Sequence, residues 1–226
     1  MTNTTKSLIL ASTSPRRAFL LKECGFEFTV RPTHASEDFD PEMEVEKVPA
    51  FLALKKAGAA TSSIQPNQLI LTADTVVIFN GKILNKPQSD NEAIGMLKTL
   101  SGNTHQVITA VCLATQDRIE TIEEISWVTF FDLKENDIKN YVCHFRPLDK
   151  AGAYGAQECL PENYNPCSGY ELNFLQRINK PNLLQKSKPE EYPTKPLIAI
   201  QEIAGSYFNV MGLPIAKVYD KIMTSL

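Results

Sequence analysis

Three groups of residues have the types and spacing that chemistry on an anion needs. The first is Asp74, midway along residues 69–79, where most positions are Leu, Ile, Val or Phe. A carboxylate inside such a strand is costly unless it is paired or holds a cation. A structural aspartate accepting backbone hydrogen bonds at a strand bend also accounts for it, but buried titratable groups concentrate at sites, and that favours function. The second group is Ser12-Thr13-Ser14-Pro15-Arg16-Arg17. A hydroxyl-rich turn running into a helix start offers free backbone N–H groups, the positive end of the helix dipole and two guanidinium forks, which together cradle an anion. An ordinary capped helix with surface arginines fits the same residues equally well. The third is a pair of lysines beside turns, Lys86 in Asn85-Lys86-Pro87 and Lys150 in the Gly-containing run 148–155. Each alone is more often a solvated surface group. Glu37, in an acidic loop, adds a second carboxylate that would complete a cation site, although by itself it reads as solvated. There is no glycine-rich P-loop and no readable Ser/His/Asp arrangement. The residues by themselves lean toward nucleotide or phosphate-ester chemistry and name no reaction.

The elements that must position these groups follow from the pattern. Residues 8–11 read as a short buried strand. Ser14 is a good N-cap and Pro15 a good first helical residue, so a helix starts there and stops at Gly25. Residues 26–31 alternate like a strand, 33–41 form the acidic loop, and 48–60 have helical spacing. Residues 68–79 predict a strand buried on both faces, returning through Asn80-Gly81 to Ile83-Leu84. A helix capped by Ser89 or Asp90 runs to Leu100. Strands follow over 105–114 and, as one strand or a bent pair, 118–131, then an amphipathic helix over 134–143. The result is an α/β chain, a mixed, strongly twisted central sheet flanked by helices. Residues 158–196 carry Pro161, Pro166, Pro181, Pro189, Pro193 and Pro196 and show no sustained period. They predict an irregular surface insertion in a single domain spanning 1–226. Residues 197–203 resume as a strand, Gly205-Ser206 turns, and 213–223 close as a helix begun at Pro214.

Composition narrows the function classes. The chain has 226 residues, 43% of them apolar and 22% charged, which rules out disorder, collagen and coiled coil for the whole of it. A net charge of −3 gives no broad cationic field for nucleic acid or an anionic membrane surface, while leaving room for a local basic pocket. No apolar run approaches bilayer length and no export signal is readable, so a cytoplasmic location is expected. Five scattered cysteines suit a reducing compartment. Cys159 and Cys167 could form half of a zinc site, but no partner ligands are spaced to complete it.

At these residues the chain resembles the Maf family, the septum-formation-inhibitor proteins, which are nucleoside triphosphate pyrophosphatases. The blocks LILASTSPRRAFLLKECG, LTADTVV with GKILNKP, MLKTLSGNTHQVITAV, YVCHFRPLDKAGAYGAQE and IAGSYFNVMGLPIAKVYDKI carry the resemblance, in the family's order and over nearly all of the chain outside 158–196. The departure within a motif is Thr13, where the family commonly has Gly. The resemblance implies a cleft for nucleotide in a sheet of the Maf/ITPase kind. It implies Asp74 as the catalytic carboxylate and Glu37 as its partner in holding a divalent ion, magnesium or manganese. Ser12, Arg16, Lys56, Lys86 and Arg17 would contact the triphosphate, with Asp149 near the same cleft. Arg16, Thr75 and Gln157 match the combination that the resemblance associates with dTTP and UTP rather than 7-methyl-GTP, and a glutamine presents both a donor and an acceptor to a pyrimidine edge. The reaction implied is metal-assisted attack of water between the α- and β-phosphates, giving a nucleoside monophosphate and pyrophosphate. The same reaction on 7-methyl-GTP or modified nucleotides, or a non-catalytic nucleotide-binding regulator of cell division, are the competing expectations. A homodimer is implied, with no nucleic acid or membrane partner.

Overall fold

A computed structural model describes residues 6–62, 64–188 and 196–226. The apolar runs and alternations of the sequence become seven strands of one sheet: β1 (Ser7–Leu10), β2 (Phe28–Val30), β3 (Gln68–Phe79), β4 (Lys82–Leu84), β5 (Thr104–Ala114), β6 (Ile119–Phe130) and β7 (Ile200–Ala204). They lie in the order β2-β1-β3-β5-β6-β7, with β4 beside β3. β1 pairs in parallel with β2 and β3, and the other pairings are antiparallel, so the sheet is mixed. Residues 118–131 make the single strand β6.

Helices cover both faces. On one face α2 (Val48–Thr61) sets Ala53, Ala57 and Ala60 against Ile9, Ile70, Ala110 and Cys112. Small residues there let helix and sheet approach closely. The larger core on the other face gathers α1 (Pro15–Glu23), α3 (Asp90–Leu100) and α4 (Glu135–Phe145) over β3 and β5. Among the described residues no helix is long and apolar enough to cross a membrane.

One detail of the sheet positions the site. β1 pairs with β3 only as far as Leu10↔Leu71, and β4 takes up β3 again only at Val77↔Leu84. On that edge residues 72–76 have no strand neighbour among the described residues, and Asp74 lies in the gap. The parallel strand ends, the chain turns into α1, and the opening falls where strand direction changes, the usual place for a ligand in an α/β sheet.

The region 158–188 is the main correction to the expected elements. It is neither wholly irregular nor confined to the surface. α5 (Gly169–Arg177) and α6 (Leu183–Ser187) form within it, and Cys159, Leu160, Phe174, Leu175, Leu183 and Leu184 are buried. The prolines do break helices, but Pro166 and Pro181 fall between elements and set their limits instead of preventing them. Ser168 and Glu171 form a reciprocal capping box at the start of α5, a spacing the proline count obscured. Pro189 and Pro193 lie outside the described residues. Two further differences are small. The strand expected over 197–203 is confined to β7, and Gly205-Ser206 leads into a short helix, α7 (Tyr207–Val210), before α8 (Ile215–Ser225).

Candidate active site

The gap in β3 opens into a cleft of about 690 Å³. Ser12, Arg16, Arg17, Glu37, Lys56, Asp74, Thr75, Lys86, Asp149 and Gln157 all line it, brought together from six separate stretches of chain.

Asp74 is 8% exposed, and its partner is Lys56, 18 residues earlier on α2. The Lys56 ammonium donates to Asp74 Oδ1 at 2.5 Å and to Glu37 Oε1 at 2.8 Å, so one cation bridges two carboxylates. The carboxylates respond in opposite directions. Burial pushes Asp74 above the ordinary aspartate value despite the pull of Lys56 and Arg17. Glu37 is held below the ordinary glutamate value by its hydrogen bond from Lys56, and the charges of Lys86 and Arg17 add to this. Environments that split two carboxylates in this way assign them different roles. One ammonium bridges the two carboxylates, and the charge of Arg17 reaches both of them. The carboxylates of Glu37 and Asp74 are oxygen donors of the kind a hard divalent cation takes, and in this structure both face the Lys56 ammonium.

The turn between β1 and α1 is built as the sequence suggests. Ser14 caps the helix by accepting from the Arg17 N–H, and Pro15 occupies its first turn. Ser12 Oγ accepts from the Ser14 N–H at 3.2 Å. Arg17, by contrast, turns inward. Its guanidinium donates to Ser12 Oγ at 3.2 Å, Ala73 O at 2.9 Å, Gly212 O at 2.8 Å and Thr75 Oγ1 at 3.0 Å. Four of its five N–H donors are thereby used on the protein, and burial lowers its pKa to about 10, still charged at neutral pH. It fills the unpaired edge of β3 and ties that strand to α1 and to the loop after α7. Its geometry is that of a clamp, where the resemblance implied a triphosphate contact.

Arg16 faces the cleft and pairs with Asp149 Oδ2 at 3.0 Å, while Lys150 donates to the other oxygen of Asp149 at 2.8 Å. Burial raises the Asp149 pKa, but Lys150 and Arg16 outweigh it and leave a net lowering. Lys150, 9% exposed, also lies 3.5 Å from the buried Glu158. Lys86 is exposed on the turn after β4 and makes no ion pair among the described residues. Gln157 sits in a tight turn at the cleft wall, anchored by its neighbour. Glu158 accepts from Tyr141 Oη at 2.6 Å, and that hydroxyl accepts from the Gly155 N–H at 3.1 Å. A Cβ at Gly155 would fall 2.7 Å from the Glu158 carboxylate and would push that side chain from its place.

Sequence reasoning passed over Glu158 and Tyr141, whose roles arise only when α4 packs against the 155–158 turn. It also passed over Thr109 and Asn209. Thr109 Oγ1 lies 2.9 Å from Thr75 Oγ1 and donates to the Asn209 carbonyl at 3.0 Å. A threonine in an alternating strand carries no signal of that kind.

Comparison with known proteins gives this geometry a family. The sequence profile of the Maf family, described as Maf-like protein, matches residues 7–162. Proteins of Bacteroides fragilis, Porphyromonas gingivalis and Flavobacterium johnsoniae, each named dTTP/UTP pyrophosphatase, are 37%, 39% and 34% identical to it. These alignments cover 95%, 95% and 96% of this chain and 94%, 92% and 94% of the relatives. The solved Ham1 protein of Staphylococcus aureus aligns over 56% of this chain and 73% of its own, at a TM-score of 0.43 and 15% identity, too distant to carry an argument. With a profile match over more than half its length and relatives covered almost end to end, the chain belongs to the Maf family.

Proposed function

We propose that this protein hydrolyses nucleoside triphosphates, dTTP and UTP in preference, to the nucleoside monophosphate and pyrophosphate. The observation that carries this reading is the trio of Asp74, Lys56 and Glu37 at the gap in β3, with Arg16, Lys86 and Lys150 on the walls of the same cleft. The names of the Bacteroides, Porphyromonas and Flavobacterium relatives support the substrate class.

Each residue then has a task its surroundings suit. Asp74, with a raised proton affinity, takes the proton of the attacking water as general base, closer to working pH than a free aspartate would be. Lys56 holds Asp74 and Glu37 at fixed separation before substrate arrives. A divalent cation held by Glu37 and Asp74 would supply charge to the phosphate oxygens and a lowered pKa for water. Arg16 and Lys86 face the leaving pyrophosphate, and preorganised cations of this kind are often the largest electrostatic contribution to such a step. Asp149, between Arg16 and Lys150, keeps the arginine fork aimed. Gln157 faces the base, where its amide offers one donor and one acceptor.

The test is pyrophosphate release from dTTP, UTP, CTP, GTP and 7-methyl-GTP, with magnesium, with manganese and with chelator. Turnover favouring dTTP and UTP that chelator abolishes is the expected result. A 7-methyl-GTP optimum overturns the assignment of Thr75 and Gln157, and tight binding without turnover makes the protein a nucleotide-binding regulator instead.

A further inference from the structure

The direction of one buried chain of hydrogen bonds can be assigned atom by atom. Arg17 has only donors, so its Nη2–H gives a proton to Thr75 Oγ1 at 3.0 Å. At the far end, Thr109 Oγ1 lies 3.0 Å from the Asn209 carbonyl oxygen. Two oxygens at that distance repel unless a proton lies between them, and the carbonyl has none to give. The single proton of Thr109 is therefore directed to Asn209. It follows that the 2.9 Å contact between Thr75 and Thr109 uses the proton of Thr75. The order is Arg17 N–H to Thr75, Thr75 O–H to Thr109, Thr109 O–H to Asn209.

Thr109 and Asn209 are both fully buried, and the acceptor at the end of the chain is itself held. Asn209 Nδ2 donates to Val107 O and to Ser126 Oγ, each at 2.9 Å, and its backbone N–H donates to Ser206 Oγ at 3.0 Å. Thr75, in contrast, is half-buried on the wall of the cleft. Gly212 leaves space beside it: a Cβ there would stand 3.4 Å from Thr75 Oγ1, in a backbone conformation of φ +102 that favours glycine. With its proton turned inward and one lone pair taken by Arg17, the Thr75 hydroxyl presents a single free lone pair.

We propose that Thr109 is a positioning residue that makes Thr75 a fixed hydrogen-bond acceptor, so that Thr75 recognises a donor on the nucleoside half of the substrate. The proposal rests on the pyrophosphatase reading and deepens it. The ionised phosphates of a triphosphate offer acceptors only, so Thr75 does not serve them. dTTP and UTP share two donors of the right kind, the imide N3–H of the base and the 3′-hydroxyl of the sugar. A site that needs a donor discriminates strongly against an analogue lacking it, because its own acceptor is left unpaired.

The experiment compares the full chain with Thr109→Val, which keeps the side-chain shape and removes the hydroxyl, and Thr109→Ser, which keeps the hydroxyl. The Asn209 carbonyl also accepts from the Gly212 N–H at 2.8 Å, so the valine variant does not strip it of partners. The readout is kcat/KM for UTP against N3-methyl-UTP, and for dTTP against 3′-deoxythymidine triphosphate. The expected result is a preference of tenfold or more for the donor-bearing substrate in one arm, which identifies the donor as base or sugar. Thr109→Val should compress that preference at least fivefold and Thr109→Ser should restore it. A structural role alone would lower all four substrates by the same factor, and unchanged ratios overturn the proposal. Proton NMR of the ligand-free protein tests the relay without turnover: the Thr75 hydroxyl proton should exchange slowly, and should lose that protection in Thr109→Val. Rapid exchange in the unmodified protein overturns the relay, whereas protection in a protein that releases no pyrophosphate overturns only the pyrophosphatase reading.

Discussion

Two buried carboxylates of this molecule, Asp74 on the cleft wall and Glu171 away from its lining, are treated in opposite ways. Glu171, fully buried on α5, accepts five hydrogen bonds: from the N–H and Oγ of Ser168 at 2.9 and 3.1 Å, from Ser206 Oγ at 2.7 Å, and from the N–H groups of Tyr207 and Phe208 at 3.2 and 3.1 Å. Every donor is neutral and fixed, and the carboxylate joins α5 to the start of α7. Asp74 is nearly as buried, yet shares one ammonium with Glu37. The difference teaches how to tell a structural charge from a reactive one. A carboxylate whose lone pairs are filled by the fold has nothing left to offer a ligand, and one that shares a single hydrogen-bonding cation at a cleft wall can still take a proton or a cation.

Replacing each carboxylate tests that contrast. Asp74→Asn should lower kcat for pyrophosphate release by about a thousandfold or more, comparable to loss of an essential general base and charge, with little effect on the melting temperature. The sign of the stability effect can be worked out. The folded-state pKa of Asp74 is raised, so the folded protein binds its proton more tightly than the unfolded chain does. Ionisation at neutral pH therefore counts against the fold, and the neutral asparagine should melt no lower than aspartate at pH 7–8. Glu171→Ala should do the reverse. Stripping its donors of their acceptor costs roughly 3–5 kcal/mol, a fall of about 8 °C or more in the melting temperature for a chain of this size. A stable but inactive Glu171→Ala protein, or an unstable Asp74→Asn, would break the comparison. Calorimetry and initial rates on both variants decide it.

Asp74 was legible in the sequence and Glu171 was not, for a physical reason. A charged residue in an unbroken apolar strand violates a local pattern, and a violation can be read without knowing the fold. Glu171 lies in a polar, proline-rich stretch where a glutamate is unremarkable, and its burial depends on α7 arriving from 35 residues away. The same divide runs through the elements. The cap at Ser14, the strand through Asp74 and the turn at Asn80-Gly81 are local and were readable. α5, α6 and α7, short and stabilised mainly by packing, were not. Lys56 and Gln157 entered through family resemblance, since a lysine beside another lysine and a glutamine after a glycine turn announce nothing. Arg17 was readable as a residue at the site, but its inward aim depends on the gap in β3 and on Gly212.

A third buried titratable group sharpens the contrast at low pH. His105 Nε2 lies 2.8 Å from Tyr154 Oη, and burial lowers the histidine pKa to about 3, against 6.5 for the free side chain. It is neutral in the folded state and protonates in the unfolded chain as pH falls below 6.5. Stability should therefore decline with acidification from 6.5 toward 3, by up to about 1.4 kcal/mol per pH unit from this one group. Asp74 acts in the opposite sense, gaining stability as it protonates, so Asp74→Asn should steepen the acid limb where His105→Gln flattens it. Chemical denaturation between pH 7 and pH 4.5 measures both slopes. Parallel slopes in all three proteins would remove both groups from the acid response.

The smallest effect is expected at Thr13, the position where the family's motif commonly has glycine. Glycine in a phosphate-facing turn usually supplies either a positive φ or close approach of a ligand to the backbone. Thr13 is exposed and has no positive φ, and its neighbours' contacts, Ser14 N–H to Ser12 Oγ and Arg17 N–H to Ser14 Oγ, are made with the threonine in place. The turn's shape therefore does not demand glycine, and Thr13→Gly adds freedom mainly to the unfolded chain. It should lower stability by about 0.5–1 kcal/mol and change kcat/KM for dTTP by less than about twofold, well under a tenth of the rate effect at Asp74. A gain of tenfold in KM-limited turnover would instead mean that the threonine side chain holds the triphosphate off the Ser12–Arg16 turn, and the anion cradle would then be the part of the site in which this chain differs from its relatives.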